Sequence, residues 1–185
     1  EKAASFAGHV CTRFGAVLGY VEEGKVKAVA MCFPPGRLQS NSEYAESGGS
    51  RMVYAIKQMG GIPPYFDRTY GDGVRLRCAA VSSDLVALHH RAVHCPHWYI
   101  LFFAVRPECQ GEGLGRKLMS VVTALADLDG VPCYLEASIS KTPFYQKQGY
   151  QVVSSLRVDV DDSAFEPEPS APLEGKQLLR PARRI

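Results

Sequence analysis

No C-x-x-C pair organises the six cysteines of this chain (Cys11, Cys32, Cys78, Cys95, Cys109, Cys133), so the spacing of a structural zinc site is missing. An even count could frame disulfides. In a chain able to build a core, however, these residues are expected to act as small apolar side chains in a reduced, cytoplasmic protein. Charge of one sign is scarce as well. The formal net charge of +2 gives no strong pull toward nucleic acid or an anionic membrane surface. No apolar run approaches the ~20 residues that span a bilayer, and no secretory hydrophobic segment opens the chain. The first residue is Glu1 rather than Met, and an N-terminal piece is expected to precede it.

What is present is ordinary for a globular protein: 185 residues, 46% hydrophobic and 22% charged. A single domain of this size, residues 1–185, should bury about 70% of its unfolded surface. It is organised around residues 98–128. WYILFFAVRPE is rich in aromatic and β-branched residues and reads as a strand. CQGEGLG turns the chain. Leu114, Leu118, Val121, Val122, Leu125 and Leu128 then recur at helical spacing until Gly130 closes the run. A strand, a glycine turn and a helix N-terminus together make an anion site, because the first helical turn offers free N–H groups and a positive dipole end. Gly111, Gly113 and Gly115 let a phosphate or pyrophosphate approach closely. The spacing fits neither a Rossmann turn, since Arg116 stands where the third glycine belongs, nor a Walker loop, since Arg116-Lys117-Leu118 supplies no Gly-Lys-Ser/Thr.

Elsewhere the signals are coarser. Residues 1–13 carry little. Residues 15–35 read as a hairpin turning at Glu22-Glu23-Gly24-Lys25 and stopped by Pro34-Pro35. Residues 37–49 read as a polar loop, 51–61 as a helix, and 73–91 as a helical pattern through Leu76, Ala80, Leu85 and Leu88. Residues 132–138 make a strand, 141–150 a short helix stopped by Gly149, and 151–158 a further strand. The acidic, proline-rich 159–175 reads as a long loop, and KQLLRPARRI as a last strand confined to an edge by Pro181. The order implies a mixed sheet covered by helices.

Four pieces then fall in sequence: Val105-x-Pro107-x-x-Gln110-Gly111-x-Gly113-x-Gly115, the LEAS of 135–138, the PFY of 143–145, and Gly149-Tyr150 before a strand. The set resembles the GNAT acetyltransferase superfamily, in the branch that includes puromycin N-acetyltransferase and related small-molecule enzymes. The resemblance is continuous over about 74–158. It implies an α/β fold with a mostly antiparallel central sheet, an abbreviated N-terminal region, and an acyl-CoA-binding core over 98–158. It implies acetyl-CoA as co-substrate without a metal, and backbone N–H groups of Gln110, Gly111, Glu112, Gly113, Leu114, Gly115 and Arg116 around its pyrophosphate. The pantetheine arm would add to the strand beside Phe103, Ala104 and Val105. Arg116 either meets a phosphate as a point charge or is a solvated helix residue.

The resemblance further implies that Tyr145 protonates the departing thiolate, the alternative being a packing role. Relatives often carry a glutamate on the central strand as base, and WYILFFAV has no carboxylate. Glu136, His97, His94 or a water chain are the candidates. Relatives often place an asparagine four residues before the tyrosine; here Lys141 stands at that cofactor-side position. The implied activity is acetylation of a small-molecule amine by a monomer or homodimer, with no nucleic-acid or membrane partner. Acetylation of a protein lysine or N-terminus, and a non-catalytic CoA-binding sensor, are the alternatives. The acceptor pocket is expected from 37–73 and 159–175.

Overall fold

A computed structural model describes residues 15–35, 85, 87–89, 91–159 and 171–183. The expected loop at 37–49 and helix at 51–61 lie outside these residues, as do most of 73–91 and 159–175. Residues 85, 87–89, 91 and 92 are helical, within and just beyond the end of the expected helical stretch.

Strands β1 (Ala16–Glu22) and β2 (Lys25–Phe33) form the expected hairpin. Its two turn residues, Glu23 and Gly24, both have positive φ (51° and 71°), which matches the right-handed twist of the flanking strands. β3 (Trp98–Val105) leads through a short 3-10 turn, Pro107–Cys109, into helix α1 (Leu114–Leu128). After β4 (Cys133–Ser138) come a second 3-10 turn and the five-residue helix α2 (Thr142–Gln146). β5 (Gln151–Val158) and β6 (Leu173–Arg180) complete a six-stranded sheet of order β1-β2-β3-β4-β6-β5. Every neighbouring pair is antiparallel except β3–β4, so the expected mixed, mostly antiparallel sheet is what forms.

The parallel seam is short. Trp98, Tyr99 and Ile100 pair with Cys133, Tyr134 and Leu135, and pairing ends there. The cause lies on the other side of β3. Met31 pairs with Phe102 and Cys32 with Ile100, leaving Leu101 as an extra residue. A bulge of this kind bends its strand and increases the local twist. Past it, β3 follows β2 as far as Val105, while β4 follows β6 to Ser138. The two strands therefore part between them.

Two expectations are corrected. The last strand begins at Leu173 rather than in KQLLR, and it lies between β4 and β5 instead of at an edge. Pro181 falls just after it, so no ladder bond is lost. The apolar positions of α1 also do not all face the core. Val121 and Leu128 are 49% and 70% exposed, and the buried stripe is Leu114, Leu118, Met119, Val122, Thr123 and Ala126. Beneath it lie Ala28 and Ala30 of β2, whose small side chains let the helix approach the sheet closely.

One ion pair clamps the far end of α1. Arg180, only 4% exposed, donates from both terminal nitrogens to the two carboxylate oxygens of Asp127, at 2.8 and 2.7 Å. The Arg183 backbone N–H donates to the same carboxylate at 2.7 Å. Asp127→Asn leaves Arg180 covered and without its counter-charge, and should cost about 2–4 kcal/mol, moderated by the carboxylate's partial exposure. The Arg180 hydrogen bonds, then the Arg183 N–H and the Arg180 charge, hold the Asp127 carboxyl below its ordinary value despite burial. A depressed carboxyl contributes stability above its unfolded value and loses it as pH falls through the folded one. Urea titrations should thus show a wild-type advantage at neutral pH that shrinks below about pH 4.

Candidate active site

The glycine turn is built to leave donors free. The Gln110 side chain donates from Nε2 to the Val105 carbonyl at 3.2 Å, tying the turn to the end of β3. Its own backbone N–H donates to Pro107 O at 3.2 Å, so Gln110 is committed to the turn, and the anion-facing set begins at 111 rather than at 110. Gly111 and Gly113 have φ of 89° and 78°, a region other side chains enter only with strain. Gly113 is the N-cap of α1, with no side-chain cap and no acidic residue in the first turn. The positive end of the helix is left without a counter-charge. A Cβ added at Gly111 or Gly113 would meet nothing within 4 Å, so the space before these residues is open. Gly115 differs: its Cβ would stand 3.4 Å from Val105 Cγ2 and 3.5 Å from Phe144 Cζ. Glycine there lets β3, α1 and α2 close up.

Between the turn, the parted end of β3 and α2 lies a cavity of about 560 Å³. Its walls bring together Phe103, Ala104, Val105, Gln110, Gly111, Gly113, Leu114, Gly115, Arg116, Lys141 and Tyr145 from the sequence expectation. Glu112 is the exception; it is exposed and outside the lining. Cys109 and Phe144 are linings the expectation did not single out, although Phe144 stands inside the PFY signature. Tyr145 is held edge-on against Phe144 at 5.1 Å and Tyr150 at 5.9 Å. Burial raises its hydroxyl above the ordinary tyrosine value, so it is a proton carrier at neutral pH. The floor beneath is fixed by Tyr150, whose hydroxyl donates to Cys133 Sγ at 3.0 Å.

Glu136 belongs to the opposite face. Along β4, Leu135 and Ala137 face the α1 side with Tyr145, whereas Tyr134 packs with Tyr99 on the other. By alternation Glu136 shares that second face, in the stretch of β4 that has left β3. Its Oε1 is buried with no hydrogen-bond partner, the sole such side-chain atom among the described residues. Burial pushes its carboxyl up to about 7, against the opposing pull of the Tyr134 and Tyr99 hydroxyls. A carboxyl with that value can exchange protons near neutral pH.

His97 is elsewhere. It is 6% exposed, with Nδ1 donating to Cys95 O at 2.7 Å and Nε2 lying 2.7 Å from His89 Nε2. Because the carbonyl takes the Nδ1 proton, a neutral His97 accepts at Nε2 from His89. Neither histidine lines the cavity, and both ring nitrogens of His97 are engaged. His94 is exposed.

Residues 75–152 match the family described as the acetyltransferase (GNAT) domain. A curated relative, an uncharacterised N-acetyltransferase of Schizosaccharomyces pombe, is 32% identical over 66 residues, 35% of this chain and 27% of that one. The match thus spans about a quarter of the relative's length. Solved structures agree on the fold. Agmatine N-acetyltransferase aligns at a TM-score of 0.56 and 21% identity, over 97% of this chain and 82% of that one. The Drosophila melanogaster polyamine N-acetyltransferase gives 0.53 and 22%, over 92% and 77%. Naa20 of Chaetomium thermophilum, in complex with a bisubstrate analogue, gives 0.54 and 15%, over 97% and 73%.

Proposed function

We propose that this protein transfers an acetyl group from acetyl-CoA to the amine of a small molecule. One observation carries the reading: β3 and β4 stop pairing at Ile100 and Leu135, and the opening faces a cavity bounded by an uncapped glycine turn and Tyr145. The small-molecule acceptor is supported by the LEAS and PFY signatures of the puromycin N-acetyltransferase-like branch. The fold is shared equally with Naa20, so acetylation of a protein amine is the competing reading.

The residues present fit such a co-substrate. The free N–H groups of 111–116 and the α1 dipole would hold its phosphates, with Arg116 and Lys141 at the wall. The parted edge of β3 at Phe103–Val105 offers amides to an extended, amide-bearing arm. Acetyl-CoA supplies the acetyl group as a thioester. On this chain, Glu136 takes the proton that the amine must lose, and Tyr145 supplies one on the other face of the sheet to the sulfur that departs. The split between β3 and β4 is where the two faces communicate. A base near 7 on one side and a protonated phenol on the other are the pair this reaction needs.

Thiol release from acetyl-CoA, measured with a panel of small amines and with peptides, tests the activity and separates the acceptor classes. No release with either would leave a CoA-binding domain without turnover. Gly113→Asp sets a negative charge where phosphate must sit and should weaken acetyl-CoA binding by about 10–100-fold, corresponding to about 1.4–3 kcal/mol. Gly113→Asn, which tolerates the same backbone, is the control; equal calorimetric affinities for the two variants would remove the phosphates from this turn. Tyr145→Phe should slow turnover by about 10²-fold, the low end for positioned proton transfer, because solvent can also protonate a thiolate of this basicity. Coincident wild-type and Tyr145→Phe rates at saturating acetyl-CoA would make Tyr145 a packing residue.

A further inference from the structure

Gln177 is 1% exposed on β6 and stands directly opposite Glu136 in the antiparallel ladder. Side chains so paired share one face at close range. Yet the Gln177 amide is spent elsewhere: Nε2 donates to the hydroxyl of Tyr134, two residues before Glu136 on the same face, at 2.7 Å. A phenol has one proton to give. With its oxygen accepting from Gln177, the Tyr134 proton is left for Glu136, which follows two residues on along the same face and has a buried carboxylate oxygen, Oε1, without a partner. The other titratable groups on this face are Tyr99 of β3, whose ring lies 5.8 Å from that of Tyr134, and His89 and His97, whose rings pack on Tyr134 at 4.3 and 6.0 Å. Among the described residues, β6 contributes Gln177 and no charged group to this face.

We propose that Gln177 is a positioning residue for the transfer reaction: by donating to the Tyr134 hydroxyl it directs that hydroxyl's proton at Glu136 and so holds the base ready at the split. The inference rests on Glu136 being the base. It gives a buried amide, otherwise indifferent to the chemistry, an effect on rate through two intermediaries. It also explains why a polar side chain is kept at a covered position between Leu178 and Lys176, where an apolar one would pack at no hydrogen-bonding cost.

Gln177→Leu removes the donor while keeping the bulk. The acid limb of kcat/KM, near pH 7 in the wild type, should move upward, because Glu136 loses part of the donation that favours its charged form. The loss should be about 3–10-fold on the acid side of the limb and vanish toward about pH 9. KM for acetyl-CoA should not change. Tyr134→Phe, which removes the donating hydroxyl altogether, should displace the limb at least as far, and adding Gln177→Leu to it should produce no more, since the two act in series. A merely structural Gln177 would lower the rate equally at every pH, and that result overturns the proposal. If Gln177→Leu folds too poorly to assay, Gln177→Glu keeps the shape but accepts instead of donating, and should displace the limb further. Glu136→Gln separates the two levels of failure. Should it leave the acid limb in place, the base is misassigned. Should it remove the limb while Gln177→Leu and Tyr134→Phe leave it unmoved, the positioning role alone is lost.

Discussion

Glu136→Gln should slow the proposed acetyl transfer by about 10²–10⁴-fold and at the same time make the protein more stable at alkaline pH. Both effects come from one fact. The folded protein holds this carboxyl at about 7, above its ordinary 4.5, mainly because burial disfavours the charge. A raised carboxyl stabilises the fold fully below its unfolded value and ceases to do so as pH rises through the folded one. Between about 7 and 4.5, at about 1.4 kcal/mol per pH unit, the ionised form carries a penalty of about 3 kcal/mol. The neutral amide avoids that penalty but cannot accept a proton. Denaturant titrations should therefore show the variant gaining on wild type at about pH 8 and losing that gain at about pH 4. A variant equally stable at both pH values, with unchanged rate, would mean that Glu136 is solvated and uninvolved.

Leu118→Ala should cost about 2–5 kcal/mol, the range for emptying a well-packed aliphatic site. Leu118 is 5% exposed, in the cluster with Met119, Val122, Ile100 and the β2 alanines. Leu128→Ala is the internal control: 70% exposed, it should change stability by less than about 0.5 kcal/mol. Comparable losses at the two sites would mean that α1 is turned on its axis relative to the sheet. Because α1 carries the glycine turn at its N-terminus, Leu118→Ala should also weaken acetyl-CoA binding slightly, visible as a higher KM.

The contrast between these leucines shows where local pattern ceased to inform. Leu114, Leu118 and Val122 were legible as core. Val121 and Leu128 looked equally apolar and face water, while Met119, Thr123 and Ala126, which periodicity did not flag, line the sheet. Helical spacing fixes a stripe. Which flank of it is covered depends on the partner surface, here alanines of a strand distant in sequence. The hairpin, the strand–turn–helix and the Gly149 stop were legible because each is set by residues within a few positions. The placement of β6 was not: interior or edge is decided by pairing with β4 and β5, and Pro181 was the only local hint. At the site, most of the cavity wall followed from contiguous motifs; Glu112 and the N–H of Gln110 departed from it, and Cys109 and Phe144 joined it. The setting of Glu136 draws Tyr99, Tyr134 and Gln177 from three strands, and no local spacing in the sequence reveals that meeting.

The three-pair seam has a mechanical consequence. Beyond Ile100 and Leu135, each parted edge is held only from its outer side, so the two half-sheets can rock like the covers of a book about that spine. A molecule whose amides bridged the edges would bind the covers together. Ala104 and Ala137 lie on different half-sheets, and their backbone amides should exchange with solvent independently in the free protein. On loading with acetyl-CoA the two should slow together, two breathing bodies having become one.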